Sequence, residues 1–119
     1  MRLVTFQLQG KEQIGVWSRD GKKVCPASDL GVTYRDMNEL IEKITPEDRA
    51  KLEQAETKTG IPIEEVTLEA PIPAPRQDVI CLGINYMAHA EESARYKKEA
   101  FGGERPYAVY FSKRVNRAV

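Results

Sequence analysis

Hydrophobic and polar positions alternate from the first residues. Val4, Phe6 and Leu8 interleave with Leu3, Thr5 and Gln7, the two-residue period of a pleated strand. Gln9-Gly10 offers a turn, and Ile14 and Val16 resume the alternation. Asp20-Gly21, set between Val16-Trp17 and Lys22–Cys25, is a short-range hairpin signal, because both residue types tolerate the backbone of a tight turn. These positions predict a meander of three antiparallel strands.

The period then lengthens. Met37, Leu40, Ile41 and Ile44 fall at i, i+3, i+4 and i+7, with Arg35, Glu39, Glu42 and Lys43 off the stripe, which predicts an amphipathic helix. Thr33 is its predicted N-cap. Thr45-Pro46-Glu47-Asp48 announces a second helix: the threonine caps, the proline takes the first helical position, and two carboxylates meet the positive end of the dipole. Its stripe (Ala50, Leu52, Ala55) is thin, so it should lie at the surface, and Gly60 and Pro62 end it. Residues 1–70 therefore form a predicted N-terminal domain of class α+β.

Ala70–Arg76 reads APIPAPR, and each proline removes a donor and stiffens the chain. The stretch 71–77 is a predicted linker, and residues 78–119 begin a second domain. Val79–Leu82 is wholly apolar, a strand of the buried kind. Gly83 breaks it, and Asn85–Glu92 follows. Ser93–Lys98 continues a helix, Phe101–Pro106 is loop, and Ala108–Phe111 is a second buried strand.

Composition narrows the possibilities. The 119 residues suffice for one domain, or for one domain and the start of another. Eighteen basic residues balance eighteen acidic ones, so no net charge draws the chain toward nucleic acid or an anionic membrane. Arg95–Val119 is locally basic, but no groove-entering motif accompanies it, and no nucleic-acid partner is expected. Cys25 and Cys81 belong to no metal-binding or disulfide pattern. MRLVTFQLQGK has no apolar run of signal-peptide length and no segment suits a bilayer, so a cytoplasmic protein without a membrane partner is expected.

The chemistry concentrates in Gly83–Glu92. The only histidine, His89, stands three residues before Glu92, a spacing that shares a helix face. A carboxylate beside an imidazole raises its basicity and fixes its tautomer, which makes the pair a candidate general base. Glu91 points elsewhere. In isolation such a pair is more often a solvated helix face than a site; here a buried strand and a glycine lead directly into it.

This run resembles the fumarylacetoacetate hydrolase family, whose members carry a strand followed by Gly-x-Asn-Tyr-x-x-His-x-x-Glu. The matching residues are Gly83, Asn85, Tyr86, His89 and Glu92. The opening MRLVTF with its β-then-helix order is similar to the small N-terminal domain of many bacterial members. PIPAPRQDVICLG is similar to the entry into the catalytic domain, and Tyr110-Phe111-Ser112-Lys113 to the family's Phe-x-Lys strand. The resemblance implies a mixed-β-roll catalytic domain, a homodimeric full-length enzyme, and a small dicarbonyl or hydroxy-diene carboxylic acid as substrate. The reaction would be C–C hydrolysis, isomerisation or decarboxylation. It implies His89 and Glu92 as the proton-handling dyad, with Tyr86 and Lys113 binding substrate. It also implies Mg²⁺, or Mn²⁺ or Ca²⁺ in its place, on the substrate's carboxylate and keto oxygens.

The family holds that ion with Glu-x-Glu and a later Asp, and no Glu-x-Glu occurs here; Glu64-Glu65 and Glu91-Glu92 are adjacent pairs. Hard cations need several converging oxygens. The expectation is that the chain contains no metal ligand, that the ligands lie beyond Val119, and that the 119 residues are the head of a longer enzyme, nearly inert alone. A non-catalytic assembly or binding domain is the alternative.

Overall fold

A computed structural model of the chain describes residues 1–83 and 109–118. They fall into two units, Met1–Arg76 with Asn116–Val119, and Gln77–Val115.

In the first unit, β1 (Arg2–Leu8) and β2 (Lys11–Trp17) pair antiparallel from Arg2↔Trp17 to Leu8↔Lys11. Gln9 and Gly10 close this hairpin with φ of 51° and 76°. Positive φ at both central residues gives the turn whose twist matches that of the strands. β3 (Lys23–Pro26) continues the meander beyond Asp20-Gly21. Two strands of two residues each, β4 (Ile61–Pro62) on β3 and β5 (Thr67–Leu68) on β1, complete the order β4-β3-β2-β1-β5. The chain thus passes from one edge of the sheet to the other through Ile63–Val66. A flat sheet would separate those edges by about 19 Å at 4.8 Å per strand. Even fully extended, the connection reaches only about 17 Å, and it contains a 3₁₀ turn at Ile63–Glu65. The sheet must therefore curl.

The curl explains why both strand faces are buried. Leu3, Thr5, Ile14, Val16 and Cys25 share one face by register. Ile14, Val16 and Cys25 join Ala27, Leu30, Val32, Met37, Leu40, Leu52 and Ala55 in the core cluster beneath the helices. Phe6 and Val24 point to the opposite face and are nevertheless fully buried, outside that cluster. The predicted alternation is present, but it does not divide core from solvent.

α1 (Met37–Lys43) and α2 (Pro46–Glu53) make the unit α+β, as expected. The N-cap of α1 is Asp36, not Thr33: its carboxylate accepts from the Glu39 amide at 2.8 Å, and the Glu39 carboxylate accepts from the Arg35 amide at 2.8 Å. Ile41, placed on the predicted stripe, is 55% exposed. A seven-residue helix docks through little more than one turn, and the Met37–Leu40 side takes that contact. α2 starts as predicted, with Thr45 Oγ1 accepting from the Asp48 amide at 3.1 Å and Pro46 in the first turn. Leu52 is its single buried residue; Ala50 is exposed, and Ala55 is buried in the 3₁₀ turn Gln54–Thr57 that follows.

The proline-rich stretch is bound along this unit. Thr5 Oγ1 donates to the Pro71 carbonyl at 2.7 Å, Ile72 packs against the core cluster, Asn38 donates to the Ala74 carbonyl at 3.0 Å, and Arg76 pairs with Glu42. Prolines cannot join a ladder as donors, but the stretch's carbonyls still accept from side chains.

In the second unit, β6 (Val79–Gly83) and β7 (Val109–Lys113) form a two-stranded antiparallel ladder. The sequence predicts both strands as buried. Instead Ile80, Leu82 and Tyr110 are 75%, 41% and 68% exposed on one face, with Val79 and Phe111 exposed on the other. Among the described residues of this unit, no further layer covers the two strands. Among the described residues, no helix is long and apolar enough to cross a membrane.

Candidate active site

The apolar run Val79–Leu82 forms a strand because β-branched and large aliphatic side chains fit a pleated surface. Its partner Val109–Lys113 joins a β-branched and two aromatic residues to Ser112 and Lys113. The register runs Val79↔Lys113, Ile80↔Ser112, Cys81↔Phe111, Leu82↔Tyr110, Gly83↔Val109. Gly83, the first residue of the motif, thus closes one end of the ladder, and Lys113 lies at the other.

Four residue steps separate those two ends, about 13 Å along the strand at 3.3 Å per residue. Lys113 is exposed and shares a face with Val79, Cys81 and Phe111. Its flexible stem can turn the ammonium either way along the ribbon. Cys81 is a half-buried free thiol. Tyr86, His89 and Glu92 lie outside the described residues.

Among the described residues, no three His, Cys, Asp or Glu side chains converge to hold a metal ion.

The clearest electrostatic features belong to the first unit. Arg117 Nη2 donates to Glu12 at 2.7 Å and to the two Glu69 oxygens at 3.1 and 3.2 Å. The Arg117 hydrogen bond holds the Glu12 carboxyl below the usual glutamate range. Tyr34 donates to Asp48 at 2.6 Å, which lowers the Asp48 carboxyl and raises the Tyr34 hydroxyl. Burial pushes the Cys25 thiol up, so it is a poor nucleophile. An open groove of about 380 Å³ lies beside these groups, floored by Ile14, Ala27 and Val32 and rimmed by Glu12, Arg35 and Glu39. Sequence reasoning does not find the Glu12–Glu69–Arg117 cluster, because its members are 48 and 105 positions apart and no periodicity links them.

Compared with known proteins, the chain matches no family model, and no curated protein matches it.

Proposed function

We propose that the chain is the N-terminal part of a divalent-metal-dependent enzyme, similar to fumarylacetoacetate hydrolases, that acts on small dicarbonyl or hydroxy-diene carboxylic acids. The observation that carries this reading is the run Gly83, Asn85, Tyr86, His89 and Glu92 immediately after a strand. In this reading His89, with Glu92 fixing its tautomer, takes the proton from water or from a carbon acidified by the neighbouring carbonyls. Tyr86 orients the substrate, and the Lys113 ammonium offsets its carboxylate charge. The metal ligands belong to sequence after Val119, and the mixed-β roll and the homodimer belong to the whole enzyme. We place that enzyme in the cytoplasm, where the unpaired cysteines Cys25 and Cys81 stay reduced.

The test is Mg²⁺-dependent turnover of acylpyruvates and oxaloacetate by the polypeptide purified from its native source, beside its His89→Ala variant. Turnover abolished by the substitution supports the reading. Absence of turnover at saturating Mg²⁺, or a variant as active as the parent, overturns it.

The exposed apolar side chains on both faces of β6–β7 favour a second reading, an assembly module without catalysis. It predicts no turnover and a stable complex with another chain.

A further inference from the structure

The sheet face beneath the helices ends in polar residues. Glu12 pairs with Gln7, Gln7 pairs with Thr67, and Glu69 follows β5 with its amide donating to the Thr5 carbonyl at 2.9 Å. Three neighbouring strands thereby bring two carboxylates and one amide together. Gln7 Nε2 donates to Glu69 at 2.6 Å, and the Glu69 side chain is only 16% exposed. Two carboxylates gathered at one end of the sheet face, one of them largely withdrawn from water, favour a cation beside them.

Arg117 is that cation. One of its terminal nitrogens directs a hydrogen to Glu12 and shares the other between both oxygens of Glu69. The next residue, Ala118, donates its amide to the Pro73 carbonyl at 2.7 Å. Pro73 is buried in the proline-rich stretch that the Asn38–Ala74 and Arg76–Glu42 contacts tie down. The chain that leaves the first unit after Arg76 is therefore fastened to it again at Asn116–Ala118.

We propose that Asn116–Ala118 is an electrostatic strap: the Glu12–Glu69 pair grips Arg117, and ionic strength sets how often the grip opens. The strap is independent of any catalytic reading of Gly83–Glu92. Arg117 is half-exposed, so salt reaches the pair and weakens it; a latch made of apolar contacts would tighten instead. Arginine suits the place better than lysine because its planar nitrogen presents two fixed hydrogens to two acceptors.

The experiment is amide hydrogen exchange of Ala118 in the 119-residue chain at 50 mM and 1 M NaCl. The Leu40 amide, bonded to the Asp36 carbonyl, serves as the reference for an intact fold. Arg117→Gln should speed Ala118 exchange by about three- to tenfold, the range left after screening discounts a charge-assisted bond. High salt should speed exchange in the parent by a similar factor and leave Arg117→Gln unchanged. Arg117→Lys should restore part of the protection, and Glu69→Gln should lose part of it, with Leu40 unaffected throughout. Equal Ala118 exchange in parent and Arg117→Gln, or a salt effect that persists undiminished in Arg117→Gln, would overturn the proposal.

Discussion

The ring of Phe6 lies over Gly15. A methyl group added at Gly15 would stand 3.1 Å from Phe6 Cε1 and 2.5 Å from the Cys25 carbonyl oxygen. The carbonyl belongs to the neighbouring strand and cannot swing aside as a side chain can. Gly15→Ala should therefore destabilise the first unit by about 1–3 kcal/mol, the usual cost of overpacking. Phe6→Ala should cost about 3–5 kcal/mol, since it empties a fully buried site. Urea unfolding of the two variants checks both values.

The observed cap of α1, Asp36, and the expected one, Thr33, separate cleanly in a substitution pair. Asp36→Ala removes the acceptor of the Glu39 amide and should cost about 1 kcal/mol. Thr33→Ala, at an exposed residue outside the helix, should stay within about 0.5 kcal/mol of the parent. Thr45→Ala should resemble Asp36→Ala, because Thr45 both accepts from the Asp48 amide and donates to its carboxylate at 2.8 Å.

These residues also show what was legible in the sequence. Gln9-Gly10 and Thr45-Pro46 carry their conformation in their own chemistry, so the hairpin and the start of α2 could be read directly. Ile41 could not be assigned correctly, because a helical stripe gives the angle between residues and not which flank meets the sheet. The strands Ile61–Pro62 and Thr67–Leu68 are too short to show a period. The exposure of Val79–Leu82 was hidden for a different reason: an apolar run records a need for cover, not the cover itself. Of the candidate site, the motif and its leading strand were legible. The ladder-end position of Lys113 needed the register.

Tyr34 and Asp48 give the first unit opposite dependences at the two ends of the pH scale. Asp48 is held low chiefly by the Tyr34 hydroxyl and then by Thr45. Its stabilising effect is complete above the ordinary aspartate value and disappears as pH falls through the lower folded value. Tyr34 is raised, first by its bond to Asp48, so its effect is complete below the ordinary tyrosine value and disappears as pH rises through the folded one. Tyr34→Phe removes the second effect and the larger part of the first, leaving the share due to Thr45. The Tm gap between parent and variant should be level from about pH 5 to 9 and shrink toward either extreme. A gap that stays level below about pH 3 would show that the ionised form of Asp48 is not what Tyr34 stabilises.

Ile80 and Tyr110 share one face of the β6–β7 ribbon, and both are largely exposed. The 119-residue chain should therefore bind a hydrophobic dye and sediment with concentration-dependent association. Replacing both residues by lysine should suppress both effects without moving the thermal transition of the first unit. A parent chain that is monomeric and silent to the dye would contradict this.

For the proposed chemistry, His89→Ala in the native-source polypeptide should lower turnover by about 10²- to 10⁴-fold, the usual contribution of a positioned base. Lys113→Ala should act differently. A residue that offsets ground-state charge raises KM more than it lowers kcat, so steady-state kinetics on the two variants separates proton handling from substrate binding.

Ile63–Val66, the short tie between β4 and β5, leaves the five-stranded sheet with only two-residue strands at its margins. Such margins offer an incoming strand too few free amides and carbonyls to zip onto. Among the described residues, β6 and β7 instead present five-residue edges. Strand addition by a second copy is thereby channelled to β6 and β7. The first unit is guarded against edge-to-edge pairing by the shortness of its own margins.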